Sequence, residues 1–286
     1  MNPDVQRFYH EESGTFSYVV SDPASKAAAV VDPVLGFSVV SGQTDTTPAE
    51  EIVRYLEDKQ LVLDWILETH AHADHLTAAQ FLKSRLGGKV AIGQGICDVQ
   101  AHFGPVFNLQ EPFAANGHQF DHLFDDGDEF ALGELTGKVI HTPGHTNDSV
   151  TYVVGNTAFV GDTVFMTDLG TARCDFPGGD AGLLFDSIQK LFALPAETVL
   201  YLCHDYPPEG RELCSGIPLA VQKQDNIHVG NAVSRQDYVA VRETRDATLA
   251  LPALILPSIQ VNIQAGHLPQ PEENQIGYIK IPLNTL

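Results

Sequence analysis

Apolar positions along this chain fall into short blocks of strand length, interrupted by two or three stretches of helical spacing. Residues 15–20 and 27–32 are mostly apolar over six positions each and read as strands. Over 48–60 the period changes: Ile52, Val53 and Leu56 line one helical stripe, with Thr47 as N-cap and Glu50 three residues on in a capping-box pattern. Residues 61–68, carrying Trp65 and Ile66, read as a buried strand. A helix is predicted over 76–86 and stopped by Gly87-Gly88, and a strand over 89–92. Further strands are predicted at 135–142, 150–154, 157–160 and 198–203, with a helix at 183–191. Helices do not alternate strictly with strands. That pattern favours a layered α/β sandwich over a doubly wound sheet.

From residue 207 onward the chain changes character, with prolines at 207, 208, 218, 252, 257, 269, 271 and 282. The expected organisation is a core over 1–206 and a C-terminal extension over 207–286 packing on the same domain. Within the extension, 234–250 has room for a helix or two, and the remainder reads as extended chain wrapping the core.

Candidate chemistry sits where predicted strands end. Strand 61–68 runs directly into Thr69-His70-Ala71-His72-Ala73-Asp74-His75. His70 and His72 are two apart, so in extended chain they face the same way, while Asp74 and His75 lie where the chain turns. Three imidazoles and a carboxylate in six residues after a buried strand form a metal-site pattern. Three other segments repeat the arrangement: TPGHT after 138–141, GDT after 157–160, and His204-Asp205-Tyr206 after 198–203. Each puts His145, Asp162 or His204 just past a strand end, and Gly144 and Gly161 let the backbone turn closely there. Taken singly these three residues would be structural; taken together, four strand ends converge on one rim.

The ordered set HAHADH, TPGHT, GDT and a late histidine resembles the metallo-β-lactamase superfamily. That resemblance implies an αββα sandwich with metal at one sheet edge. In dinuclear members, the matching positions would place His70, His72 and His145 on one metal. Asp74, His75 and His204 would hold the second, with Asp162 bridging. Within the superfamily, the segment DTVFMTDLGTARCDFPGG at 162–179 and CHDYPPEGRE at 203–212 look like the persulfide dioxygenases, close relatives of glyoxalase II. Glyoxalase II usually has a GCGR-type loop and His-Glu-Tyr at the corresponding places. The similarity extends through NIHV at 226–229 and LPSIQVNIQAG at 256–266.

The persulfide dioxygenase resemblance implies one Fe(II) per chain, held by His70, His145 and Asp162 as a two-His-one-carboxylate triad with three open positions. His72, Asp74, His75 and His204 would then orient those ligands by hydrogen bonds. The implied reaction, part of sulfur metabolism, oxidises glutathione persulfide with O2 to sulfite and glutathione. The alternative is a glyoxalase II-like hydrolase of glutathione thioesters with two zinc ions or a mixed pair. The proline-rich extension does not resemble a helical thioester-binding domain. An intact ligand set argues against a scaffold without activity. A homodimer is also among the family's implications.

Composition narrows the partners. The 286 residues hold 16 Lys and Arg against 37 Asp and Glu, a net charge of −21. Nucleic acid and anionic membranes are both repelled by such a chain, and no basic run offers an exception. Ten basic and 28 acidic residues lie in 1–200, so most of the charge is there. Residues 1–7 show no leader pattern and the apolar runs are too short to span a bilayer, so a cytoplasmic enzyme is expected and an exported lactamase is not. The cysteines, at 97, 174, 203 and 214, form no CxxC pair. An anionic substrate therefore needs a local positive site. Arg173 is the only Lys or Arg between Lys138 and Lys190, and its guanidinium is the candidate contact for a glutathione carboxylate or the persulfide charge, against a loop-fixing pair with Asp168, Asp175 or Asp180. Tyr206 is a second candidate substrate contact. Cys174 reads as a small buried thiol, and His228 as structural.

Overall fold

The computed structural model describes residues 2–109 and 113–285. In the first half, β1 (Asp4–His10), β2 (Thr15–Ser21) and β3 (Ala27–Val31) form an antiparallel meander. There follow β4 (Val34–Ser38), β5 (Gln43–Asp45), α1 (Thr47–Asp58), β6 (Val62–Leu67) and the two-residue β7 (Leu76–Thr77). Then come α2 (Ala79–Leu86), β8 (Lys89–Gly93), α3 (Ile96–Val106) and β9 (His122–Phe124). β3, β6, β8 and β9 are parallel neighbours, giving a six-stranded sheet of order β1-β2-β3-β6-β8-β9.

The second half builds another six-stranded sheet in chain order. Its strands are β10 (Glu129–Leu132), β11 (Leu135–His141), β12 (Val150–Val154), β13 (Thr157–Phe159), β14 (Val199–Tyr201) and β15 (Gly216–Pro218). α4 (Ala181–Phe192) crosses between β13 and β14, which are parallel; the other pairs are antiparallel. α5 (Leu219–Asp225), α6 (Arg235–Asp246) and α7 (Ile255–Asn262) complete the helices.

Strand alternation sorts the side chains into layers. On β2, Tyr18 and Val20 face the second sheet and pack with Phe130, Tyr152 and Phe159, while Val19 faces the helices and packs with Ile52, Leu56 and Leu82. A third cluster lies outside the second sheet, where Leu184, Ile188 and Tyr238 of α4 and α6 cover Ala158 and Leu200. The result is an αββα sandwich. Residues beyond 207 enter two of these clusters: Ile255, Ile259 and Val261 join the first, and Ile217, Leu219 and Tyr238 the third.

Several sequence expectations shift. The predicted start of α1 is capped by Asp45 rather than Thr47: the Asp45 carboxylate accepts the Thr47 N–H at 2.9 Å and its hydroxyl at 2.6 Å. Thr46, at the N-cap position, donates to Glu50 at 3.1 Å instead. The helix predicted over 76–86 begins at Ala79, because Leu76 and Thr77 pair with Leu35 and Val34. α4 starts at Ala181, where Asp180 accepts the Leu183 N–H at 2.7 Å. The extension is less extended than expected, since α7 forms across Pro257; a proline in the first helical turn removes no helix hydrogen bond. Among the described residues, no helix or strand follows Asn262 and no helix is long and apolar enough to cross a membrane.

Candidate metal centre

Every candidate ligand leaves the carboxyl end of a strand. β6 delivers His70, His72, Asp74 and His75; β11 delivers His145; β13 delivers Asp162; β14 delivers His204. Two glycines make the close approach. Gly161, at φ +50°, lies so near Thr69 that a Cβ would sit 2.5 Å from its hydroxyl, and Gly144, at φ +135°, would collide with the backbone of Leu184 at 2.2 Å.

The ligand atoms of His70, His145 and Asp162 lie within 4.8 Å of one another, and so do those of His72, Asp74 and His75. His204 Nε2 stands 3.4 Å from Asp162 Oδ1 and 3.5 Å from Asp74 Oδ2, at the seam of the two sets. His145 Nε2 is 3.7 Å from Asp162 Oδ2. Of these seven, only Asp74 is more than marginally exposed.

The hydrogen bonds behind the rings aim them inward. His145 Nδ1 donates to the Arg173 carbonyl at 2.7 Å, and His204 Nδ1 to the Gly14 carbonyl at 3.1 Å, which turns each Nε2 to the centre. His70 Nδ1 meets the Thr69 hydroxyl at 3.1 Å. Asp32, missed by sequence reasoning, anchors the loop: it accepts the Thr69 N–H at 2.7 Å and hydroxyl at 2.9 Å, and lies 3.1 Å from His72 Nε2. Asp148 accepts the Ala71 N–H, between the first two histidines, at 2.7 Å.

A metal fits this donor set. His70 Nε2, His72 Nδ1, His75 Nε2 and Asp162 Oδ1 are buried without a hydrogen-bond partner. Buried polar atoms are rarely left unpaired, and most of the bare ones among the described residues, Thr163, Ser258 and Asp148 aside, belong to this donor set. Burial, and then the neighbouring histidines, push the His70 and His72 imidazoles well below their ordinary range, so both present neutral lone pairs. Burial alone would raise Asp74 and Asp162, but the surrounding histidines outweigh it and both carboxylates are held low. For His204 burial works against protonation, and the facing Asp162 and Asp74 raise it nonetheless.

The centre opens on a cleft of about 470 Å³, within the range of small-molecule sites. Phe165, Leu169 and Phe176 form apolar walls, and Arg173, Arg242 and Arg245 bring positive charge. Arg173 forks onto Asp175 at 2.6 and 2.7 Å and gives Nη1 to the Ala250 carbonyl at 2.6 Å. One N–H on each terminal nitrogen remains for another partner. Arg242 is buried and engaged with Asp246 and the Thr171 carbonyl. Arg245, also unread in the sequence, is exposed, and among the described residues its guanidinium makes no hydrogen bond or ion pair. Tyr206 stacks on His204 at 5.7 Å and is half exposed to the cleft. Cys174 is a buried thiol raised by burial, which makes it unreactive.

His228 supports the cleft wall. Its Nδ1 accepts the Thr171 N–H at 3.0 Å, and burial, followed by the Arg242 and Arg245 charges, lowers it to about 4. An unfolded histidine titrates near ~6.5, so between the two values the unfolded chain binds the extra proton. The contribution is complete above the unfolded value and is lost as pH falls towards 4. His228→Gln is expected to reduce the loss of unfolding free energy between pH 6.5 and 4 by about 1–2 kcal/mol after allowance for solvent screening, and so to flatten the fall of Tm over that range. Thermal melts of the metal-free protein at several pH values check this; parallel Tm curves for both proteins would contradict it.

Known proteins resemble this chain at the level of family, sequence and fold. A family model described as metallo-beta-lactamase superfamily matches residues 11–204. A probable metallo-hydrolase of Burkholderia pseudomallei is 47% identical over 99% of both chains. The beta-lactamase hydrolase-like protein of Xylella fastidiosa is 48% identical over 99% of this chain, which spans only 65% of that longer protein. The human mitochondrial persulfide dioxygenase ETHE1 is 29% identical over 71% of this chain and 68% of its own. Among solved structures, ETHE1 from Myxococcus xanthus superposes with a TM-score of 0.73 at 29% identity, covering 92% of this chain and all of that one.

Proposed function

The chain belongs to the metallo-beta-lactamase superfamily, and on that footing we propose that it is a persulfide dioxygenase, oxidising glutathione persulfide with O2 to sulfite and glutathione at one ferrous ion. His70, His145 and Asp162 would hold the ion in this reading, and the convergence of their ligand atoms within 4.8 Å, beside a cleft lined by His145 and Asp162, is the observation that carries it. Bound there, ferrous iron would supply the redox chemistry that activates O2 towards the persulfide sulfur. The reaction balances with one water: persulfide, O2 and water give the thiol and sulfite, and the terminal sulfur loses four electrons to O2.

The chain's own residues bind, orient and exclude water. The Arg173 carbonyl fixes the His145 ring, and Phe165 and Phe176 wall off the site. His204 faces Asp162 at 3.4 Å and the His72 ring packs on that of His70 at 3.9 Å, while Asp74 and His75 contact those two neighbours rather than the ligands. Arg245, with the two spare N–H groups of Arg173, takes the glutathione carboxylates, and Tyr206 lies along the same wall. Arg245→Ala is expected to raise KM for the persulfide about 10-fold with kcat nearly unchanged, the size of one charge-assisted contact. Arg173→Ala should also raise KM while metal content stays normal, because its backbone rather than its side chain holds His145. Steady-state O2 uptake and metal analysis of both variants check this, and unchanged kinetics in both would contradict it.

A two-metal hydrolase of glutathione thioesters is the second reading. It is favoured by the bare His72 Nδ1 and His75 Nε2 and by the 47% identical relative's name. The deciding experiment is anaerobic purification, metal identity and stoichiometry, and O2 uptake with glutathione persulfide. About one iron per chain with persulfide-dependent O2 uptake and sulfite formation supports the dioxygenase. Two metals with thioester cleavage and no O2 uptake overturns it.

A further inference from the structure

The loop from Glu68 to Thr77 carries four of the seven candidate ligands. Its neck is closed by the Thr77 hydroxyl, which donates to the buried Glu68 carboxylate. Its far side is held by a residue nearly two hundred positions away. Asn262, the last residue of α7 and 4% exposed, donates through Nδ2 to the carbonyls of His72 and His75, each at 2.8 Å. Its Oδ1 accepts the Thr77 N–H at 2.9 Å. Both amide hydrogens and the carbonyl are thus spent on one loop. The chain turns away immediately afterwards, at Ala265 and Gly266 with φ of +55° and +86°.

We propose that Asn262 is the positioning residue of the metal loop, so that the C-terminal segment, through one carboxamide, sets how tightly the centre holds its metal. A planar amide is the side chain that supplies two donors and an acceptor at this reach. Aspartate would turn an oxygen on two carbonyls, and alanine would leave two buried carbonyls and an N–H unpaired. The same segment is tied elsewhere by contacts that avoid the loop. Gln80 donates to the Ala265 carbonyl at 2.9 Å, and Gln100 to the Ile263 carbonyl at 2.8 Å. Those two amides hold the segment on the fold, while Asn262 alone reaches the carbonyls of His72 and His75.

The inference rests on the metal-centre part of the proposed function and not on the reaction. The test measures metal affinity by chelator competition and the visible spectrum of the cobalt(II)-substituted protein, for the wild type, Asn262→Ala, Asn262→Asp and Gln80→Ala. Asn262→Ala and Asn262→Asp are expected to fold, to bind zinc and cobalt at least about 10-fold more weakly, and to shift the cobalt bands; loss of a partner that orients a metal site costs about 10–100-fold. Gln80→Ala should lose thermal stability while affinity and spectrum stay at wild-type values. Affinity within twofold of wild type in both Asn262 variants overturns the proposal. So does an equal loss in Gln80→Ala, or failure of both Asn262 variants to fold, which would assign Asn262 to the fold. A wild type that binds no metal would instead overturn the metal centre itself.

Discussion

Asp162→Asn is expected to give a folded protein that retains little metal and has lost persulfide-dependent O2 uptake by about 100-fold or more. Removing an outer partner of a metal ligand costs about 10–100-fold, so a direct ligand should cost at least the upper end. The swap is nearly isosteric and removes charge rather than volume. The Asp162 carboxylate is the only anionic member of the proposed triad, its Oδ1 is buried without a hydrogen bond, and His204 and His145 face it at 3.4 and 3.7 Å. Asparagine would lower the charge attracting a divalent ion and could turn an N–H into the ligand position. Metal analysis after anaerobic reconstitution, an oxygen electrode and a thermal melt check the three parts. Wild-type metal content in a folded Asp162→Asn protein would remove Asp162 from the ligand set.

His75→Ala is expected to separate the two readings of the site. With one iron on His70, His145 and Asp162, the variant keeps about one metal per chain and most of its turnover, because His75 touches Asp74 and His72 rather than any of the three ligands. With two metals, His75 is a ligand of the second, so metal content falls from two to one and thioester cleavage, which needs both, is lost. His75 suits the purpose because its Nε2 is bare and its Nδ1 contacts Asp74 at 3.2 Å, away from the His70–His145 pair. Metal content falling below that of a one-iron wild type would count against the assignment of His75 to a supporting role.

Much of the layered fold and the ligand convergence was legible in the sequence, because both follow from short-range rules. Buried strands announce themselves by apolar runs, and a ligand-type residue just past a strand's carboxyl end lands on one rim of the sandwich. That covers His70 to His75, His145, Asp162 and His204. The features that escaped depend on distant pairing. Leu76 and Thr77 continue the helical spacing of residues 79–86, but Val34 and Leu35 claim them for a strand. Asp32 lies in an Asp-Pro step that reads as a turn, and nothing local says its carboxylate will hold Thr69, 37 positions on. Asn262 sits in an apolar helix with no pattern to mark it, and its partners His72 and His75 are 190 and 187 residues distant. Arg245 stands out only because Arg173 and Arg242 are already occupied by Asp175 and Asp246, which a sequence does not display.

The division of the proposed ligands between the two sheets has a consequence for how the protein matures. The first loop is synthesised by residue 75, yet its partners come from 145, 162 and 204, and its clamp from 262. Chains emerge from the ribosome N-terminus first, and metal affinity depends on the assembled site. A nascent chain stalled before residue 145 would therefore hold a histidine-rich loop and none of the ligands that the second sheet supplies. Metal capture would then wait on docking of the second sheet against the first, since His145 and Asp162 come from it and His70 does not. A retained ion would report that the two sheets have met in their native register.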